Sequence, residues 1–195
     1  MPGLPVLQNA FANPGLTAAF DYGHPSHGST YALAAAWAPG AGRFQLSAGV
    51  GSYAPPSGSS TVSYGARIAI PVLTFMANKS LGVGIFGGAG GASVSGTTLM
   101  QVPVGVSVGY RRPVGATRAI SVYAAPFYDW TRASASGTSA SAGLFRVSAG
   151  LDFAVTSSIG VTIGVEGGGT AKAGNPGPDG SILGVGVSYA FRHGG

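Results

Sequence analysis

Three stretches of this sequence alternate strictly between apolar and small or polar side chains, and few folds are open to a chain that does so. From Val102 the apolar set is Val102, Val104, Val106, Val108 and Tyr110, with Pro103, Gly105, Ser107, Gly109 and Arg111 between. From Phe145 it is Phe145, Val147, Ala149, Leu151, Phe153 and Val155, and from Leu183 it is Leu183, Val185, Val187, Tyr189 and Phe191. A period of two is the period of a strand, whose successive side chains point to opposite faces. Each segment therefore has one apolar face and one face of Gly, Ser and Ala. In a soluble sandwich the second face would carry Lys and Glu. Small residues suit instead the crowded inside of a closed barrel, with the apolar face turned to lipid.

Composition agrees. The 195 residues include 10 Lys and Arg and 5 Asp and Glu, only 8% of the chain, against 45% hydrophobic residues. Mean hydropathy is +0.34. Such a chain is too apolar and too poor in charge for disorder. With no cysteine it has no disulfides, no Cys-ligated zinc and no thiol chemistry. The net charge of +5 does not indicate nucleic acid, because only Arg111 and Arg112 are adjacent and no basic cluster is interleaved with aromatics. A spanning helix needs about 20 apolar residues in a row. The longest uncharged run, from Ser80 to Tyr110, carries glycine at 82, 84, 87, 88, 90 and 91, each unfavourable in a helix.

Ten segments read as strands: Gly15–Gly23, Ser29–Trp37, Arg43–Tyr53, Ser60–Val72, Leu81–Val94, Leu99–Arg111, Thr117–Trp130, Gly143–Val155, Gly160–Gly168 and Ser181–Arg192. Turn-forming clusters such as Pro39-Gly40-Ala41-Gly42 separate them. The expected fold is all-β: a transmembrane antiparallel up-and-down β-barrel of about ten strands, with eight or twelve as alternatives. The expected organisation is a barrel over 15–195, preceded by a tail over 1–14 that is periplasmic or folds into the lumen. If both termini are periplasmic, the odd connections face outward and should be longer; the seventh (Thr131–Ala142) and ninth (Gly169–Gly180) are the longest.

This pattern, from Leu16 to Arg192, resembles the small bacterial outer-membrane β-barrels of the OmpA/OmpX type. The last strand, with Val185, Val187, Tyr189 and Phe191 in one phase, resembles the C-terminal assembly signal of that class, although Arg192-His193-Gly194-Gly195 follow the aromatic. The resemblance implies the cell outer membrane, the lipid bilayer and the outer-membrane assembly machinery as partners, and a monomer without cofactor. It confers no activity, since pores, adhesins, anchors and a few enzymes share the architecture. Met1-Pro2-Gly3-Leu4 shows no basic region or sustained apolar core of a signal peptide, so the sequence reads as a mature chain or a truncated start. Six bases (Arg43, Lys79, Arg111, Arg112, Arg118 and Arg192) fall on the expected periplasmic side, where anionic lipid would attract them; the inverted topology would favour lipopolysaccharide.

Three motifs suggest chemistry and lack its context. Gly82-Val83-Gly84-Ile85-Phe86-Gly87 spells a dinucleotide fingerprint, but no helix or timely acid follows. Gly105-Val106-Ser107-Val108-Gly109 matches a nucleophile elbow, yet Ser107 sits mid-strand with no turn into a helix. Asp21, His24 and His27, with Asp129, could form a metal site or a hydrolase site at the outer rim, but a complete ligand set is not evident, and metal ligation is not expected.

The lumen is the better site. Asp21, Asp129, Asp152 and Glu166 occupy the inward phase of their strands, as do Arg67 and Arg146. Cross-strand pairing should bring Asp129, Arg146 and Glu166 together, with Arg146 bridging two carboxylates. Such a cluster either ties the wall together and closes the lumen or selects small solutes by charge. The many inward Gly, Ala and Ser leave volume for a pore. Tyr22, Tyr31, Trp37, Tyr64, Tyr110, Tyr128, Trp130 and Tyr189 share the outward phase near strand ends, as an interfacial aromatic girdle would. The expected function is a structural barrel or a narrow passive channel for small polar solutes. The alternatives are a surface-binding or adhesion barrel using the seventh and ninth loops, and a rim-sited hydrolase.

Overall fold

The structure, a computed structural model, describes residues 14–25, 28–40, 43–75, 80–94, 96–170, 176 and 180–191. Ten strands form one closed antiparallel barrel: β1 (Gly15–Pro25), β2 (Ser29–Ala38), β3 (Gln45–Ala54), β4 (Thr61–Phe75), β5 (Leu81–Val94), β6 (Thr97–Pro113), β7 (Ala119–Ala135), β8 (Thr138–Ala154), β9 (Ile159–Gly168) and β10 (Ile182–Phe191). Each strand pairs with its neighbours in sequence, and β1 pairs with β10 from Leu16↔Phe191 to Pro25↔Ile182. The ring of pairings leaves no sheet edge around the barrel wall, which is what a spanning sheet requires in lipid. Among the described residues no helix is long and apolar enough to cross a membrane.

The alternation is kept throughout. Outward positions such as Leu33, Val50, Val62, Val104, Phe145, Val185 and Val187 are exposed. Inward positions on the same strands are small or polar and mostly buried, for example Ala32, Ser63, Ser107, Ser121 and Thr162. Lipid covers the outward set in a membrane, so their exposure is the solvent-facing equivalent of a core. Pro71 sits at the one register shift of the β4–β5 ladder, between Pro71 and Leu73, where a residue with no N–H to donate is tolerated.

The strands are unequal. β6, β7 and β8 have 17 residues each, whereas β2, β3, β9 and β10 have 10. The extra length lies at the end of the barrel opposite Gly15 and Phe191, here called the far end. The stretch 131–142 was expected to be a long loop. It is instead strand, closed by the two residues Ser136 and Gly137 with φ of +45° and +83°, the mirror-image turn that matches the twist of a hairpin. Its outward residues Arg132, Ser134, Ser139 and Ser141 are polar, so this hairpin rises above the apolar band. The expected asymmetry of loop lengths is therefore only partly realised. The far end carries the longest connection (169–181) and also two of the tightest (95–96 and 136–137).

Candidate functional site

The lumen is built by two unlike walls. Long side chains enter from β4, β5, β7 and β8: Arg67, Phe86, Tyr123, Phe127 and Arg146, all buried. Small ones face them from the remaining strands, among them Ala19, Ala32, Ala36, Gly164, Gly184 and Gly186. Register explains how the long ones fit. Phe86, Gly105 and Phe127 are consecutive members of one cross-strand row, so the two rings fold over the glycine with centroids 6.2 Å apart. A Cβ on Gly105 would lie 2.5 Å from the Cβ of Phe127 and 2.8 Å from the Phe86 ring. Tyr123 likewise begins a row that continues through Gly150, Gly164, Gly184 and Gly23, and a Cβ on Gly150 would lie 2.6 Å from its hydroxyl.

Phe86, Ala125 and Phe127 form an apolar waist inside the barrel. The Arg67 guanidinium lies over the Phe86 ring, 5.5 Å from its centroid, a cation–π contact made in a dry place. Along β7, Tyr123 stands on one side of the waist and Asp129 on the other.

On the far side Arg146 is 0% exposed. It does not bridge two carboxylates as expected. Its Nε donates to Glu166 Oε1 at 2.9 Å, while Nη1 and Nη2 donate to the carbonyls of Gly169 and Gly180 at 2.8 and 2.9 Å. The guanidinium fork thus holds both ends of the β9–β10 connection, a task that its fixed geometry suits. Asp129 takes its hydrogen bond from the Gln101 amide, which lies diagonally across the β6–β7 ladder. Its carboxylate remains within electrostatic reach of Glu166 and Arg146.

On the other side Thr162 donates to Asp152 Oδ1 at 2.7 Å. Asp21 lies three places further along that inward row, after Thr162 and Gly186, with its carboxylate in the space a side chain on Gly186 would fill. Asp152, Arg67 and Asp21 all act electrostatically on the Tyr123 hydroxyl. The six expected lumen residues thus divide between two clusters. Gln101, Tyr123, Thr131, Phe86 and Phe127 complete them, and the sequence reading missed all five. Their inward phase was readable, since each alternates with an outward apolar residue; Phe86 was masked by the glycines around it.

The rim chemistry does not assemble. Asp21 faces the lumen and His24 is exposed on the opposite face of β1; His27 lies outside the described residues. Ser107 is an inward, buried strand serine.

On the outside, Val185, Val187, Tyr189 and Phe191 are all exposed on β10. Tyr22, Tyr31, Tyr64, Tyr128 and Trp130 lie toward the far end on the outward face. Trp37, Tyr110 and Tyr189 lie toward the other end. Several are paired: Tyr22 with Tyr31 at 5.3 Å, Trp37 with Phe44 at 5.8 Å, and Tyr189 with Phe191 at 5.0 Å between ring centroids.

A family model described as the outer membrane protein beta-barrel domain matches residues 28–191. The chain belongs to this family. As an outer-membrane β-barrel it has its place in the outer membrane of a bacterium, with the apolar face of its strands in lipid. No curated protein matches the sequence. Solved structures similar to this barrel include the KdgM porin in complex with disordered oligogalacturonate, at 10% identity and a TM-score of 0.46, covering 90% of this chain and 99% of that one. Neisserial surface protein A (NspA) is similar at 15% identity and a TM-score of 0.42, covering 90% of this chain and 94% of that one.

Proposed function

We propose that the protein is a structural outer-membrane barrel whose lumen is closed at the waist, with no catalytic task. The observation that carries this reading is the packing of the middle of the lumen. Ala125 and Ser148 are 0% exposed and Phe127 is 4% exposed, although all three face the inside of a barrel. A water-filled pore would leave such residues wet. A lumen filled by side chains ties opposite walls together, as in other narrow barrels. Lipid is then the partner on the outward face, a single copy is sufficient, and β10 with Val185, Val187, Tyr189 and Phe191 serves as the assembly signal. The separation of Asp21 from His24 removes the geometric support for a rim hydrolase. The adhesion alternative loses its seventh loop, which is a tight hairpin; most of the ninth lies outside the described residues.

A second reading, a narrow passive channel for small polar solutes, is favoured by the continuous inward row Gly150–Gly164–Gly184–Gly23, a strip with no side chains. Liposome swelling separates the two. Vesicles holding the refolded protein should resist swelling in isotonic arabinose as well as empty vesicles do. Swelling that scales with protein content would reject the closed barrel in favour of the channel.

A further inference from the structure

On the outward face of β1 to β5 one cross-strand row is entirely alanine: Ala18, Ala35, Ala48, Ala66 and Ala89 stand in register from strand to strand. The rows on either side of it are bulky. Leu16, Trp37, Leu46 and Ile68 form one, toward the end that carries Gly15 and Phe191, here the near end. Phe20, Leu33, Val50 and Tyr64 form the other, and all eight side chains are exposed. The result is a groove of about 510 Å³, with Ala35, Ala48 and Ala66 in its floor and Leu16, Trp37, Leu46 and Ile68 in its near wall. Strands lie about 4.8 Å apart, so a row across five of them is about 19 Å long. Tyr189, the partner of Ala18 on β10, closes one end of it.

The groove lies in the band that lipid covers, so a lipid chain and a second barrel compete for it. Small residues let protein surfaces approach closely, but here both flanking rows stand above the floor, and another convex barrel would rest on them. A single acyl chain is narrow enough to enter, and it gains dispersion contacts on three sides. Charge selects the headgroup. At the near end Trp37 packs edge-on against Phe44, and the residue before Phe44 is the exposed Arg43. Arg43 is five residues from Ala48, a span of about 16 Å that an acyl chain can cover. It has no ion pair among the described residues. The described acids, Asp21, Asp129, Asp152 and Glu166, all occupy the inward phase, so none of them stands on the outside to repel a phosphate. A guanidinium matches phosphate oxygens in geometry as well as in charge.

We propose that this groove binds one phospholipid of net negative charge, with an acyl chain over Ala35, Ala48 and Ala66 and the phosphate at Arg43. The site requires only that the outward face lie in lipid, and it does not depend on whether solutes pass the waist.

Trp37, in the wall of the groove, supplies the test. The chain has two tryptophans, so Trp130→Phe leaves Trp37 as the only one. The full chain with that change is refolded into phosphatidylcholine vesicles doped with a small fraction of phosphatidylglycerol brominated midway along its acyl chain. Parallel vesicles carry the same fraction of brominated phosphatidylcholine. Bromine quenches tryptophan fluorescence on contact, and the brominated phosphatidylglycerol should quench Trp37 several-fold more than its zwitterionic counterpart. That preference should disappear in Ala48→Leu, which fills the floor, with Ala66→Leu as the substitute if Ala48→Leu does not refold. It should weaken several-fold in Arg43→Gln. Equal quenching by the two lipids overturns the proposal, and quenching by neither overturns it in favour of a second barrel seated on the groove. A preference that survives the filled floor, or one unchanged in Arg43→Gln, overturns it as well.

Discussion

Arg146 shows most clearly how one side chain can organise this barrel. Removing it as Arg146→Met would leave the half-buried Glu166 carboxylate without its ion-pair partner and strip the Gly169 and Gly180 carbonyls of their donor. Breaking a buried pair on one side costs about 3–5 kcal/mol. Urea unfolding in micelles should show a loss of that size, and adding Glu166→Gln should recover part of it. The inward phase of Arg146 and Glu166 was legible in the sequence, because charge cannot face lipid. Its other two partners were not: they are backbone carbonyls at the ends of a connection, and no residue type announces a carbonyl. The same limit hid the role of Gly105. Only register places it between Phe86 and Phe127. Gly105→Ala should force the rings apart and destabilise the barrel by about 1–3 kcal/mol, while an alanine at Gly40, which has nothing within 4 Å of a Cβ, should leave the Phe86–Phe127 pair undisturbed.

Among the elements, the strands that cross lipid were readable within a few residues and the parts that stand in water were not. Leu81–Val94 was read with the bounds it has, and β1, β2, β9 and β10 were close, since each alternates an apolar residue with a small one. The β7–β8 hairpin beyond Trp130 has water on its outward side, so it reads Arg132, Ser134, Ser139 and Ser141 there and loses the contrast that signals a strand. Its turn residues, Ser136-Gly137, were the available clue. The lipid band itself can be tested on β2, where Leu33 is exposed between Tyr31 and Trp37. Leu33→Arg should lower stability in liposomes by about 2–4 kcal/mol, the cost of a cation near the midplane. In denaturant titrations Leu33→Met should be nearly silent.

At the scale of the whole molecule, closure of the sheet was foreseeable from ten antiparallel segments, but the state of the lumen was not. Read strand by strand, the inward list allowed both a lumen filled by side chains and a narrow pore. In three dimensions a few long, buried side chains from one wall, Arg67, Phe86, Tyr123, Phe127 and Arg146, stand opposite alanines and glycines of the other, and the proposed closure rests on that packing. Whether that packing stops ions is decided by single-channel recording in planar bilayers, using refolded protein of verified strand content. The wild type should be electrically silent, and the double variant Phe86→Ala/Phe127→Ala should open discrete steps. Discrete steps from the wild type itself, with a conductance unchanged by the double variant, would contradict a lumen closed at its aromatic waist.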